Sequence, residues 1–378
     1  MSQKVTLIAT AAMGLEAIVG KEVKALGYEN LQVENGRVSF EADVSAIPRA
    51  NLWLRTADRV KLQVGRFKAT SFDQLFEQTK ALPWEDFIAE EGEFPVIGKS
   101  VKSKLYSVPD CQSIVKKAIV ERLKVKHGVT SWLKETGALH RVEVAIHKDE
   151  ALLTLDTSGS GLHKRGYRVG QGEAPLKETL AAALVQITNW HPDHPFVDPF
   201  CGSGTIAIEA ALIGQNIAPG FNREFASEDW HFIPQQAWED AFQEAEEAAN
   251  YDQPLNIVGS DIDPELIDIA KKNAMEAGLG DLISWKQMQI SDFNPKQDNG
   301  YVVSNPPYGE RMGDREEVEQ MYRDLGTIMR DHPSWSVYVL TSHEGFEKLY
   351  GKPATKRRKL FNGFIKTDYY QYFGKHVR

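Results

Sequence analysis

The chain has 378 residues, 42% hydrophobic and 26% charged, with a net charge of −9. That composition is ordinary for a soluble globular protein, and the length exceeds one typical core, so two or three domains are expected. No run of about 18 apolar residues is present to cross a membrane, and Met1-Ser2-Gln3-Lys4-Val5 lacks the apolar core of a signal peptide. Cys111 and Cys201 are too few for a disulfide framework or a zinc site, so a cytoplasmic protein without a metal or a membrane partner is expected.

Charge is unevenly spread. Residues 224–252 hold nine Asp/Glu and no Lys or Arg. Residues 99–126 hold eight Lys/Arg against Asp110 and Glu121, and residues 351–378 hold eight against Asp368 alone. Segregation of this kind lets an acidic chain keep a local positive field, so the net charge does not exclude a polyanionic partner.

Residues 1–65 read as a small α+β unit. The apolar run Val5 to Ala9 predicts a strand. Leu15, Ile18, Val19, Val23 and Leu26 have helical spacing, closed by Gly27. Asn35-Gly36 between Leu31–Val33 and Arg37–Phe40 is a strong hairpin signal. Residues 66–165 read as a second α/β unit. A helix is predicted from Phe72 to Leu82, ended by Pro83, and another from Ser113 to Val125. Strands are predicted over Phe94–Val101, Arg141–His147 and Ala151–Asp156. The second helix leaves Lys116, Lys117, Arg122 and Lys124 free to face outward. A basic helix beside a small sheet, without a catalytic cluster, suits phosphate binding. Lys99, Lys102, Lys104, Lys116 and Lys117 are its candidates. The Gly-rich basic segment Gly159 to Arg168 adds Lys164, Arg165 and Arg168 and leads into the next domain.

A helix follows over Leu176 to Thr188, with Pro175 near its first turn. From 195 onward strands and helices alternate, the pattern of a parallel, doubly wound sheet. Strands are predicted at Phe196–Phe200, Ile257–Ser260, Ile283–Gln287, Tyr301–Ser304 and Ser336–Thr341, with a helix at Pro264–Ala277 capped by Asp263. Asn362-Gly363 sits between two final strand-like runs and predicts a closing hairpin.

Four strand ends carry chemistry. Asp198-Pro-Phe-Cys-Gly-Ser-Gly-Thr205 joins the first strand to its helix, where glycines admit a ligand close to the backbone and the helix start offers free N–H groups. The third glycine of the dinucleotide fingerprint is missing, as is a phosphate loop, which fits a nucleoside-like ligand without a long phosphate chain. Asp261 ends the second strand, where a carboxylate can accept both ribose hydroxyls, and Asp292 follows the third as a partner for an adenine amine. The gap from Gly204 to Asp261 is long for such a site, and an acidic insert at about 214–254 accounts for it. Asn305-Pro306-Pro307-Tyr308 ends the fourth. Its prolines stiffen an extended turn. The turn can present the Asn305 oxygen and the Pro306 carbonyl as two acceptors beside an aromatic face, suited to a planar group bearing NH2.

Residues 173–374 resemble the S-adenosylmethionine-dependent class I methyltransferases. Asn305-Pro306-Pro307-Tyr308 looks like their signature for methylating a planar NH2 nitrogen. Asp198 to Thr205, with Lys177-Glu178-Thr179 and Gly161-Leu-His-Lys-Arg-Gly-Tyr-Arg168 upstream, resembles the THUMP-domain RNA methyltransferases, and among them the bacterial 23S ribosomal RNA guanine-N2-methyltransferases. The resemblance implies an α/β architecture of three parts. A ferredoxin-like domain (1–65) and an RNA-binding THUMP domain (66–165), both α+β, would precede a Rossmann-like methyltransferase domain (166–378), whose seven-stranded doubly wound sheet ends in the closing hairpin. A second methyltransferase domain, fused in some relatives, is not expected. The resemblance also implies S-adenosyl-L-methionine as cofactor, held by Lys177, Glu178, Thr179, Asp198, Phe200, Gly202, Gly204, Thr205, Asp261, Ile262, Asp292 and Asn305. Asn305, Pro306, Pro307 and Tyr308 would be catalytic.

A guanine N2 is a weak nucleophile because its lone pair is delocalised into the ring. Hydrogen bonds to the Asn305 oxygen and the Pro306 carbonyl would expose that lone pair, and Tyr308 would stack the base. Positioning is then the main catalytic effect, on a base that is unpaired or flipped out. Cys201 is expected to be a packing residue. Adenine N6 and protein glutamine present the same planar NH2, and the basic module favours RNA over protein. Large-subunit ribosomal RNA is the first expectation and transfer RNA its rival. An RNA-binding assembly factor with a vestigial cofactor site is the reading outside catalysis.

Overall fold

A computed structural model describes residues 4–170, 176–309 and 315–375. In chain order the first elements are β1 (Lys4–Ala11), α1 (Glu16–Ala25), β2 (Gln32–Glu34), β3 (Arg37–Asp43), α2 (Ala46–Trp53), β4 (Ala57–Lys68), α3 (Phe72–Ala81), β5 (Val96–Val101), α4 (Val108–His127), β6 (Val142–His147) and β7 (Glu150–Asp156). These strands form one seven-stranded sheet in the order β2-β3-β1-β4-β7-β6-β5. The twelve-residue β4 is the reason it is continuous: it pairs antiparallel with β1 on one side and β7 on the other. Asn35 and Gly36 make the β2–β3 turn, with Gly36 at φ +77°.

The later elements are α5 (Glu178–Thr188), β8 (Phe196–Asp198), α6 (Thr205–Gly214), α7 (Gln235–Ala248), β9 (Ile257–Asp261), α8 (Pro264–Glu276), β10 (Ile283–Gln287), β11 (Tyr301–Ser304), α9 (Arg315–Arg330), β12 (Ser336–Thr341), α10 (Phe346–Tyr350), β13 (Lys356–Asn362) and β14 (Ile365–Tyr372). Pro175, expected near the first turn of α5, lies outside the described residues. The second sheet runs β10-β9-β8-β11-β12-β14-β13, parallel except for β14, which is antiparallel to both of its neighbours. β11 and β12 are buried along their whole length, as strands covered on both faces must be. Asp263 caps α8 by accepting the Glu265 N–H at 2.8 Å, as its position before Pro264 predicts.

The chain divides into two compact units. One comprises residues 1–11, 19–162 and 224–244; the other comprises 12–18, 163–223 and 245–378. The acidic insert is therefore more than a spacer. Its residues Phe225, Trp230, Ile233, Trp238 and Ala241 are buried in the core of the first unit. The Trp230 indole N–H donates to the Leu139 carbonyl (3.0 Å), and its ring stacks on His140 at 4.7 Å. Arg49 pairs with both carboxylate oxygens of Glu244. Among the described residues no helix is long and apolar enough to cross a membrane, and no cluster of His, Cys, Asp or Glu could hold a metal ion.

Candidate active site

The C-terminal ends of β8, β9 and β11 open onto a cavity of about 800 Å³ within the second unit. This is where a doubly wound sheet offers a crevice, because its helices diverge from the strand ends. After β8 the chain turns through Gly202 (φ +51°) and Gly204 (φ +86°) into α6. The two glycines do different work. Gly202 lines the cavity, and a Cβ there would meet nothing within 4 Å. Gly204 packs inward, where a Cβ would come within 2.6 Å of the Trp285 ring. Gly204 is a packing glycine and does not line the cavity, in contrast to the expectation for it.

Asp261 fixes this loop against β9. One carboxylate oxygen accepts the Gly202 N–H at 3.0 Å, and the other accepts the Asp263 N–H at 3.1 Å. Each oxygen keeps a further lone pair that can face a ligand. Asp198 is buried and accepts from the Ser304 hydroxyl and the Phe200 N–H. Burial pushes its carboxyl up to about 7, against the pull of those two donors. Cys201 is buried, and desolvation raises its thiol well above the usual range, so it is no ready nucleophile.

β11 ends in the Asn305-Pro306-Pro307-Tyr308 turn, all four residues of which line the cavity. The Tyr308 hydroxyl donates to the Asn305 side-chain oxygen at 2.6 Å, and the Asn362 amide donates to the Tyr308 hydroxyl at 3.2 Å. The Tyr322 hydroxyl holds the Pro307 carbonyl at 2.6 Å. The Pro306 carbonyl has no hydrogen-bond partner among the described residues. Two acceptors thus remain on the turn: that carbonyl and the second lone pair of the Asn305 oxygen.

The other expected ligand residues separate. Phe200, Thr205 and Ile262 line the cavity with Asp198, Gly202 and Asp261. Lys177, Glu178, Thr179 and Asp292 do not. Lys177 and Asp292 are exposed, and the wall beside Asp292 is built from Gln289, Ile290 and Ser291. Glu178 is buried and accepts from Arg168 at 2.7 Å. Arg168 also reaches the Ser203 and Thr205 hydroxyls and the Leu176 carbonyl. It clamps the start of α5 to the glycine loop, which removes it from the RNA-binding candidates.

Arg165 is removed for a similar reason. It is 3% exposed and paired with Glu209, itself fully buried, so it offers no surface to a phosphate. The face of α4 is also less positive than its sequence suggests. Lys116 pairs with Glu135 at 2.6 Å over the Phe94 ring, and Arg122 grips both oxygens of Glu85. Lys99 pairs with Glu143. Lys102, Lys104, Lys117 and Lys164 are exposed and form no ion pair among the described residues.

Several lining residues had no expected role: Leu266 and Met288 beside Ile262, and Glu317, Gln320, Met321 and Asp324 on α9. The α9 set recurs at i, i+3, i+4 and i+7, a one-face spacing that could have exposed it. Among the described residues every charged side chain lining the cavity is an acid (Asp198, Asp261, Glu317 and Asp324), and none is basic. Such a lining fits a cationic or neutral ligand with donors and disfavours a phosphate chain.

A profile of the RMKL-like methyltransferase domain matches residues 165–371, more than half of the chain. The chain belongs to the RMKL-like methyltransferase family. Profiles of the RlmL ferredoxin-like domain and the THUMP domain match residues 6–61 and 69–156. A Bacillus subtilis member named "Putative RNA methyltransferase YpsC" is 66% identical over 99% of this chain and 97% of its own. The ribosomal RNA large subunit methyltransferase K/L of Pseudomonas putida strain GB-1 is 34% identical over 97% of this chain, which spans about half (52%) of that protein. The crystal structure of SMU.472, complexed with SAH, is 47% identical, covers 100% of both chains and superposes with a TM-score of 0.95. In this RMKL-like chain the glycine loop, Asp261 and the Asn-Pro-Pro-Tyr turn therefore sit in a methyltransferase domain, and they share one cavity.

Proposed function

We propose that this protein transfers the methyl group of S-adenosyl-L-methionine to the exocyclic N2 of a guanine in RNA, with large-subunit ribosomal RNA as the substrate class. The observation that carries the reading is the Asn305–Tyr308 turn, which keeps two uncommitted acceptors and lines a cavity together with Gly202 and Asp261. The SAH complex of a 47% identical relative supports the cofactor, and the THUMP match and the relatives' names support RNA. The sulfonium cofactor supplies an electrophilic methyl group.

The residues of this chain prepare the nucleophile. Asp261 and the Gly202 loop would hold the nucleoside part, with Ile262, Leu266 and Met288 against its base. The Asn305 oxygen and the Pro306 carbonyl would accept from the target NH2, drawing its lone pair out of the ring. Tyr308 fixes the Asn305 oxygen through its hydroxyl, and Tyr322 fixes the turn from behind. Guanine carries a donor, N1–H, next to its NH2, whereas adenine carries an acceptor there. The charged side chains on the described part of the lining are all acids, which supports guanine.

The test is methyl incorporation from labelled cofactor into RNA taken from cells lacking the protein, with protein and DNA from the same cells as controls. Label in RNA alone is the expected result. Label in protein or DNA, or in none of the three, would overturn the reading.

A further inference from the structure

The β13–β14 hairpin reaches the cavity with its tip. Asn362 and Ile365, the last paired residues, line the cavity, and only Gly363 and Phe364 lie between them. Gly363 takes φ +61°, as a two-residue turn requires. Phe364 is wholly exposed at 104% and is not a wall of the cavity. Lys359 and Lys366 lie on one face of the hairpin, since Lys366 is paired with Phe361 and strand side chains alternate. Both are exposed and form no ion pair among the described residues, whereas Arg357 is engaged by Asp368.

Among the described residues the cavity lining carries no basic side chain, so a base that enters it finds no counter-charge there for its phosphates. An exposed aromatic ring at the tip and two lysines without an ion pair on the hairpin face opposite Asn362 and Ile365 supply what a strand passing over the tip needs: a stacking surface and counter-charge.

We propose that this tip binds single-stranded RNA beside the target nucleotide, Phe364 stacking on the adjacent base while Lys359 and Lys366 meet its phosphates. Phe364 is on this account a positioning residue, holding the strand so that the target base stays in the cavity. The inference rests on the RNA reading above.

The experiment is equilibrium binding of the full chain, with S-adenosylhomocysteine present, to a short single-stranded RNA bearing 2-aminopurine, whose fluorescence reports stacking. Phe364→Ala is expected to weaken binding on the order of tenfold and to lose the quenching of 2-aminopurine, while Phe364→Trp restores both. Lys359→Ala with Lys366→Ala is expected to flatten the slope of log K against log salt by about 1.4. Cofactor affinity and melting temperature should not move in any of these variants. A wild-type chain that leaves the probe unbound, or a Phe364→Ala chain that binds as tightly as wild type, overturns the proposal. So does a concentration-dependent dimer abolished by Phe364→Ala, which would assign the ring to a second copy. The RNA reading fails separately, by absence of methyl transfer from wild type to RNA, and the binding result stands without that assay.

Discussion

At the residue scale the site depends on a relay of hydrogen bonds from Asn362 through Tyr308 to Asn305. On the proposed function Asn305→Ala removes the acceptor for the reacting amine, so kcat should fall by about 100-fold or more while cofactor affinity, measured by calorimetry, stays within a few-fold. Tyr308→Phe keeps the ring and loses the relay, and should lower kcat more than it raises KM. Asp198 gives a pH signature. Its folded carboxyl titrates near 7, above the ordinary 3.8, so the folded state holds a proton that the unfolded state releases between these values. Stability must then fall as pH rises through that window, by about 4 kcal/mol in total for the ligand-free chain. Asp198→Asn lacks the buried charge. Its melting temperature should exceed that of wild type at pH 8, and the gap should narrow toward pH 5. The Asn-Pro-Pro-Tyr turn was legible in sequence because two prolines fix its backbone locally. The Tyr308–Asn362 bond was not, because its partners lie 54 residues apart. The same distance effect hid Glu209 from Arg165, so a buried ion pair read as a free basic residue.

At the element scale, β8 to β12 matched the predicted strands closely, because short runs with apolar residues bounded by turn and cap residues carry a strong signal. α2, β4, α7 and α9 were not read. β4 mixes basic and apolar residues, and α2 contains Pro48, so neither offers a clean period. Gly204 was assigned to the ligand, yet what constrains it is the Trp285 ring, which belongs to β10 and touches Gly259 as well. Gly204→Ala combines a positive φ with a close contact and should destabilise the second unit by about 2–3 kcal/mol, read as a lowered denaturant midpoint. Gly202→Ala meets only the backbone penalty and should cost less stability, about 1 kcal/mol, while weakening cofactor binding.

At the scale of the whole molecule, segregated charge reconciles an acidic chain with a polyanionic substrate. The cavity is lined by acids, whereas exposed lysines such as Lys102, Lys104 and Lys117 belong to the unit that carries the THUMP match. The acidic insert falls inside the methyltransferase match and yet completes the core of the other unit. Trp230→Ala should accordingly destabilise the N-terminal unit by about 3–5 kcal/mol, seen as earlier loss of hydrogen-exchange protection in β6 and β7 than in β11 and β12. The central claim is that the Asn305–Tyr308 turn methylates a guanine amine in RNA. Its most direct test is nucleoside mass spectrometry on ribosomal RNA from a deletion strain, after incubation with S-adenosylmethionine and either the wild-type or the Asn305→Ala chain. The account predicts N2-methylguanosine with wild type and none with Asn305→Ala. N6-methyladenosine in its place, or equal N2-methylguanosine from both chains, would contradict it.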